Sequence, residues 1–438
     1  MPLIIVAVGI IILFILISAF KINAFLSLLI TSFIVGLLGH MEPAKILLSI
    51  SNGVGSTMGS VALIIVFGAM LGKLIEDSGA AYQITNRLID LFGTKKIQIA
   101  IVITGFIVGL PMIYNAGFLV LIPLIYTLTY STKLPMIYIG LPMCAALSVT
   151  HGFLPPHPAP TSVAFIYHAS VNKTLLYGII VAIPSIIIAG PVLSQFYKKI
   201  KNLPPKELFV PKDFSNEKLP SLSTSLLVAL SPILLILSGA VFQFVLPDEN
   251  RFMKILKFLS DANVALFISV FIGVYFLGIK QQKKMNDVMK NLVEPVGSVA
   301  MILLIIASGG AFKQVLMDSG TGEYIKQIST GLHFSPLILA WCIAALFRLA
   351  TGSATVACIT AAAMAFPLIK GTNISPELMV ISTGAGSLMF SHFNDVGFWM
   401  FKEYFNVSIK QTFAVWTVME TVIGIVGLAG ALLLNNFI

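Results

Sequence analysis

The sequence predicts an all-α polytopic membrane protein made of two inverted repeats, each with about five spans, a re-entrant hairpin and a broken helix. Three observations predict it. Of 438 residues, 57% are hydrophobic and 10% charged, with mean hydropathy +0.97. Charge-free stretches recur along the whole chain, at 2–20, 22–41, 46–72, 97–132, 134–172, 174–197, 219–247, 262–279, 295–312, 327–347, 349–369 and 421–438. Landmarks in the first half also recur in the second at a near-constant offset. A spanning helix needs about 20 apolar residues, so these stretches exclude a single anchor on a globular enzyme. No polar segment is long enough for a separate catalytic domain.

Taken in order, spans are expected near 3–20, 22–40 and 54–75. The first has no basic n-region or small-residue cleavage site, so it reads as an uncleaved span. After a connector comes the 97–132 stretch, too long for one crossing and short for two. Its middle, Gly109-Leu110-Pro111-Met112-Ile113-Tyr114-Asn115-Ala116-Gly117, carries helix breakers, which predicts a hairpin entering and leaving on one side. The 39 residues between Lys133 and Lys173 lack any charge, yet contain Thr150-His151-Gly152-Phe153-Leu154-Pro155-Pro156-His157-Pro158-Ala159-Pro160-Thr161, so this span is broken. A last span follows at 174–196.

The second half parses the same way. Spans fall near 223–246, 262–279 and 295–317, a hairpin at 335–369 turns near Thr351–Thr355, and a span at 374–400 is broken near Ser391-His392-Phe393-Asn394-Asp395. A final span lies at 412–436. The repeats are therefore 1–196 (scaffold 1–75, hairpin and broken span 97–170) and 221–438 (scaffold 221–317, hairpin and broken span 335–400), joined by a lysine-rich linker at 197–220. Val54-Gly55-Ser56 recurs as Val296-Gly297-Ser298, Asp77-Ser78-Gly79 as Asp318-Ser319-Gly320, and His151 falls opposite His392, each 241 or 242 residues on.

Five crossings per half would invert one repeat against the other. Lys21, Arg87, Lys95, Lys96, Lys133, the 198–218 lysines, Lys280, Lys283, Lys284, Lys290, Lys402 and Lys410 then share one side. That side is cytoplasmic by the positive-inside rule, with both termini outside and a charge-mixed loop at 247–261 opposite. The net charge of +9 is thus a topology signal spread over loops, with no nucleic-acid face. Cys144, Cys342 and Cys358 have no pairing or metal spacing and read as small core residues.

Irregular backbone survives at membrane depth only where protein buries it or a watery cavity meets it, and broken helices mark the binding sites of transporters. Half-helix N-termini there present free N–H groups and a positive dipole, suited to a carboxylate. The tips carry Asn115, Ser148, Thr150, His151, His157, Thr161, Thr351, Ser353, Thr355, Ser391, His392 and Asn394, a set that hydrogen-bonds hydroxyl groups without strong fixed charge. Asp395 is the one carboxylate of the second break and reads as functional or as a helix cap. His151 and His392 read as substrate contacts, proton carriers or props of the breaks. Arg348 can bind a carboxylate, neutralise Asp395 or snorkel. Glu420 reads as an interhelical structural residue, and Lys73 and Lys313 as helix-end residues. No nucleotide loop, metal set or nucleophile triad is present in the sequence, so no cofactor and no enzyme activity is expected.

Four runs carry a resemblance to a known family: 145–158 (Ala145-Ala146-Leu147-Ser148-Val149-Thr150-His151-Gly152-Phe153-Leu154-Pro155-Pro156-His157-Pro158), Gly309–Leu316, Gly352–Ala357 and Phe398–Asn406. Nearly end to end, the chain resembles the gluconate permease family of the ion transporter superfamily, proton symporters for gluconate and related sugar acids. The resemblance implies an outer scaffold, a moving core of hairpins and broken spans working as an elevator, and a homodimer in the cell inner membrane. It implies import of a small hydroxylated monocarboxylate, gluconate first, with D-serine-type permeases and an uncoupled facilitator as alternatives. Substrate contacts are then expected at Tyr114, Asn115, Thr150, His151, Ser353, Thr355, His392 and Asn394, and the coupled proton on Asp395, His151 or His392. Two positions depart from the family pattern. Asn115 stands where an acid commonly follows an aromatic, and Val396 where proline commonly follows Asn-Asp.

Overall fold

The computed structural model describes residues 2–93, 96–205, 219–242, 251–320, 335–369, 372 and 374–438. Among them every regular element is helical. The first half runs α1 (Pro2–Ser18), α2 (Ala24–Leu38), α3 (Pro43–Asp77), α4 (Ala80–Phe92), α5 (Ile97–Gly109), α6 (Tyr114–Thr132), α7 (Met136–Phe153), α8 (Pro158–Tyr167) and α9 (Val171–Ile187). The second runs α10 (Leu222–Phe242), α11 (Arg251–Leu259), α12 (Ala262–Gly273), α13 (Met285–Asn291), α14 (Glu294–Asp318), α15 (Pro336–Thr351), α16 (Ala354–Ile369), α17 (Pro376–Gly386), α18 (Val396–Tyr404), α19 (Ile409–Thr412) and α20 (Val418–Leu434).

Helices are interrupted at the four expected places, between α5 and α6, α7 and α8, α15 and α16, and α17 and α18; glycine or proline stands in the first three, while residues 387–395 of the fourth include neither. The differences are physical. The third span begins at Pro43, whose fixed φ and missing N–H suit a first helical turn. The 76–96 connector and the 247–261 loop are largely helix, α4 and α11, whose apolar residues recur on one face instead of in an unbroken run. Lys95, the 247–250 stretch and linker residues Lys206, Lys212 and Lys218 lie outside the described residues. Cys144 and Cys358 are buried, but Cys342 is exposed on the outer face of α15, which corrects its reading as a core residue.

Among the described residues, eight helical segments are long and apolar enough to cross a membrane. Three of the ten expected crossings have no such segment: α1 and α2, 17 and 15 residues long, and the second broken span; one of the eight, Tyr114–Thr132, is α6, expected as an arm of the first hairpin. Large apolar side chains such as Ile180, Ile183, Leu234, Phe267 and Phe271 point outward, as a lipid-facing surface requires.

The most extensive contact between two helices is that of α3 with α14. Ser49, near the start of α3, donates to Asp318 at the end of α14 at 2.6 Å. At the other end Asn291, just before α14, reaches Asp77 at 3.4 Å, and Lys73 pairs with Glu294 at 3.3 Å. The two helices therefore run antiparallel. They touch where Gly53 meets Gly310: a Cβ on Gly53 would lie 2.5 Å from the Gly310 carbonyl oxygen. Small residues are what let two apolar helices approach this closely.

The broken helices cross each other at Gly152 and Gly384, where a Cβ on Gly384 would lie 2.5 Å from the Gly152 oxygen. Buried hydroxyls and an indole tie hairpins, breaks and last helix together. Tyr167 and Thr383 share a hydrogen bond of 2.9 Å, Tyr126 donates to the Tyr404 carbonyl at 2.7 Å, and Trp341 donates to the Gly424 carbonyl at 2.9 Å.

Candidate functional site

A cavity of about 250 Å³ lies where the hairpin tips and the second break meet. Three helix starts open on it: Tyr114 and Asn115 of α6, Ala354 and Thr355 of α16 with Ser353 before them, and Val396 and Gly397 of α18. The starts of α6 and α16 follow Pro111 and Gly352; that of α18 follows the polar run Ser391–Asp395. The first hairpin turns at Leu110–Ile113. The second turns at Gly352, held at φ +68° with its α-carbon against the Asn394 oxygen, which a Cβ would meet at 2.1 Å. Only glycine adopts that conformation at that distance without strain.

The start of α18 is already capped: Asp395 Oδ1 accepts from the Gly397 N–H at 2.8 Å. Its Oδ2 accepts from Arg348 and from the Ser391 hydroxyl. Arg348 also donates to the Gly352 carbonyl, so the second hairpin and the second break are clamped together by one guanidinium. Arg348 is only 3% exposed, which makes it an ion-pair residue and excludes snorkelling. Asp395 is thus the helix cap that one reading of its position expected, and it also lines the cavity. No side chain caps α6.

The structure gathers some predicted residues and separates others. Tyr114, Asn115, Ser148, His151, Ser353, Thr355 and Asp395 line the cavity. Thr150 does not; it is fully buried, donates to the Leu147 carbonyl at 2.9 Å and packs against Gly109 of the first hairpin. His392 and Asn394 also lie outside it: His392 accepts from the Asn394 N–H at 3.4 Å, and Asn394 donates to the Leu349 carbonyl at 2.8 Å. His157 and the Gly109 carbonyl lie 2.8 Å apart, which ties the first break to the first hairpin. Thr161 is buried away from the cavity, and Thr351 accepts from the Ser353 N–H at 3.2 Å inside the hairpin turn. Lys73 and Lys313 lie near the ends of α3 and α14; Lys313 reaches the Ile166 carbonyl at 2.8 Å.

Lining residues that were not singled out for the site from sequence include Ile302, Ile305, Trp416 and Glu420. Ile302 and Ile305 of α14 face the hairpin tips. Trp416 sits in a π turn (Phe413–Thr417) just before α20, donates to the Ser391 hydroxyl at 2.8 Å and meets the Tyr114 ring edge-on at 5.8 Å. π turns often mark functional positions. Glu420, 2% exposed, accepts from the Ser148 hydroxyl at 2.5 Å. An ionisable residue inside a span was the available signal.

Known proteins match this architecture closely. The chain is 48% identical to the high-affinity gluconate transporter of Escherichia coli (strain K12) over 438 residues, covering all of both chains. It is 48% identical to the Gnt-II system L-idonate transporter of the same organism over 435 residues, 99% of each. It is 44% identical to the gluconate permease of Bacillus subtilis (strain 168), again over 99% of each. Among solved structures, the YdaH transporter of Alcanivorax borkumensis shares the fold with a TM-score of 0.65 at 18% identity, covering 90% of this chain and 88% of that one. MtrF of Neisseria gonorrhoeae aligns with a TM-score of 0.60 at 17% identity, over 89% and 83%. The profile of GntP family permeases matches residues 1–438, so the chain is a multi-pass membrane protein that belongs to the GntP family of permeases.

Proposed function

We propose that this permease imports gluconate or a closely related sugar acid across the cell inner membrane by proton symport. The observation that carries the reading is the convergence of three helix starts and one compensated ion pair on a single small cavity. The start of α18 is occupied by its own aspartate, and at α16 the Val356 N–H is already taken by the Ser353 hydroxyl at 3.3 Å, which leaves the start of α6 and the remaining first-turn N–H groups of α16 to meet an incoming carboxylate. Each offers unpaired N–H groups and part of a positive charge. Asn115, Ser353 and Thr355, with Tyr114 and His151, supply donors and acceptors for hydroxyl groups. A volume of about 250 Å³ suits a small acid, below the roughly 300–1,000 Å³ of drug-sized pockets. Thr150, His392 and Asn394 support the tips from behind.

The gluconate and L-idonate transporters of Escherichia coli are equally similar to this chain, and both named substrates are polyhydroxy monocarboxylates. That equality supports the class and leaves gluconate and L-idonate as rival first choices. The coupled proton belongs to a titratable side chain of the cavity. Of the expected carriers, Asp395 and His151 line it.

The antiparallel contact of α3 with α14, made by landmarks at matching positions of the two halves, supports inverted repeats; the distribution of lysines is what favours both termini outside. In this reading α5–α8 and α15–α18 form the moving core of an elevator within a homodimer, as the family resemblance implies.

The test is uptake of labelled gluconate into liposomes holding purified protein, with and without an inward proton gradient. Gradient-driven accumulation, competed by unlabelled L-idonate, is expected. Equilibration without accumulation would make the protein a facilitator. Neither uptake nor competition would remove sugar acids as its substrates.

A further inference from the structure

We infer that Glu420 is the carboxyl that carries the coupled proton. The inference rests on the proton-symport reading above and deepens it by naming the group. Two carboxyl side chains line the cavity, Asp395 and Glu420, and their surroundings differ. Asp395 is committed: Arg348, Ser391 and the Gly397 N–H all donate to it. Its partner guanidinium does not deprotonate in proteins. A proton on Asp395 would therefore leave the Arg348 charge unpaired in the cavity wall, the costly half of breaking a buried pair.

Glu420 has no such commitment. It joins none of the ion pairs among the described residues. Its Oε1 accepts from Ser148, while its Oε2 is buried without a hydrogen-bond partner among the described residues. A carboxyl with one free buried oxygen has a place for a proton. The groups facing it are Ser148, Cys144 and His151 of α7, Tyr114 of α6, Arg348 of α15, Asp395 before α18, and Trp416 of its own segment. The other helices packed on α20 meet it with Val181 of α9 and Ala385 of α17, which do not titrate. Arg348 is the cation among these groups, and Asp395 already neutralises it.

Charge then couples substrate to proton. The Arg348–Asp395 pair sums to zero. With Glu420 ionised, a substrate carboxylate would place a second negative charge in the same buried space, and like charges disfavour ionisation. The loaded cavity therefore holds the substrate anion and a protonated Glu420. An O–H bond forms at Oε2 with a proton from outside water, and that proton returns to water inside as the substrate leaves. One anion and one proton cross together, so transport is electrically neutral.

The experiment uses the full-length protein in liposomes, comparing E420Q with wild type by pH-gradient accumulation, by gluconate counterflow and by response to a valinomycin–potassium potential. Wild type should accumulate on a pH gradient and ignore the potential. E420Q should lose accumulation by over an order of magnitude more than it loses counterflow. Its residual uptake should rise with an inside-positive potential, because the anion now crosses alone. E420Q that accumulates like wild type and ignores the potential would overturn the inference. If E420Q does not fold, S148A decides: removing the hydrogen bond that favours the ionised carboxyl should move the pH profile of accumulation toward alkaline pH, and an unmoved profile overturns the assignment. Failure of wild type to transport or exchange gluconate would count against the substrate alone. Infrared difference spectra on acidification then decide without substrate: a protonated-carboxyl band absent from E420Q supports the assignment, and a band that persists overturns it.

Discussion

Arg348 and Asp395, 47 residues apart in sequence, form the ion pair that joins the tip of the second hairpin to the break in the second broken helix. The pair closes one wall of the cavity and cancels its own charge there. In the proposed reading, anion recognition is thereby left to helix N-termini instead of a free cation. R348Q and D395N should each destabilise the protein by about 3–5 kcal/mol, because each strands a buried charge. The double variant R348Q/D395N should recover part of the lost melting temperature but not uptake. Full recovery of transport in the double variant would show that the clamp is dispensable.

Gly352 should tolerate no side chain. G352A adds about 1–2 kcal/mol of left-handed backbone strain to a Cβ placed 2.1 Å from the Asn394 oxygen. Thermal melting in detergent should fall and gluconate uptake should be lost. Melting and uptake equal to wild type would mean that the hairpin tip and the break do not touch as described.

Asn115 lines the cavity at the uncapped start of α6. N115D puts an acid there, where the helix dipole favours its ionised form. The KM for gluconate should rise several-fold at neutral pH and approach the wild-type value on acidification, as the new carboxyl is neutralised. An unchanged KM across that range would place the substrate away from the first hairpin.

The contact of α3 with α14 should be sensitive to a single methyl group. A Cβ on Gly53 meets the Gly310 oxygen at 2.5 Å and Ala311 at 2.6 Å, so G53A must push two long helices apart. Overpacking of this kind costs about 1–3 kcal/mol. The melting temperature should drop with little change in the pH dependence of residual uptake. A shift in that pH dependence would tie the helix pair to coupling.

His157 lies outside the cavity lining and bridges the first break to the Gly109 carbonyl. H157A should lower stability by about 1–3 kcal/mol, the cost of an unsatisfied buried carbonyl, and leave the pH profile in place. A moved profile would make His157 a titrating partner of the transport cycle.

By itself the sequence determined what is local. Runs of apolar residues set the all-α membrane class. Gly109–Gly117, Thr351–Thr355 and the Pro155-Pro156 segment located three interruptions, because a helix stops where glycine and proline remove its geometry or its hydrogen bonds, and the polar run Ser391–Asp395 located the fourth. The short amphipathic helices α4 and α11 escaped, since their apolar residues are spaced around a helix and never form a run. Only the tertiary structure decided which polar groups share the cavity. It turned Thr150 toward Leu147 and the first hairpin, set His392 and Asn394 behind the second tip, gave Asp395 to Arg348, and brought Glu420 to Ser148 across 272 residues. Such pairings depend on how whole helices pack, and no spacing pattern along the chain encodes which face of one helix meets which face of another.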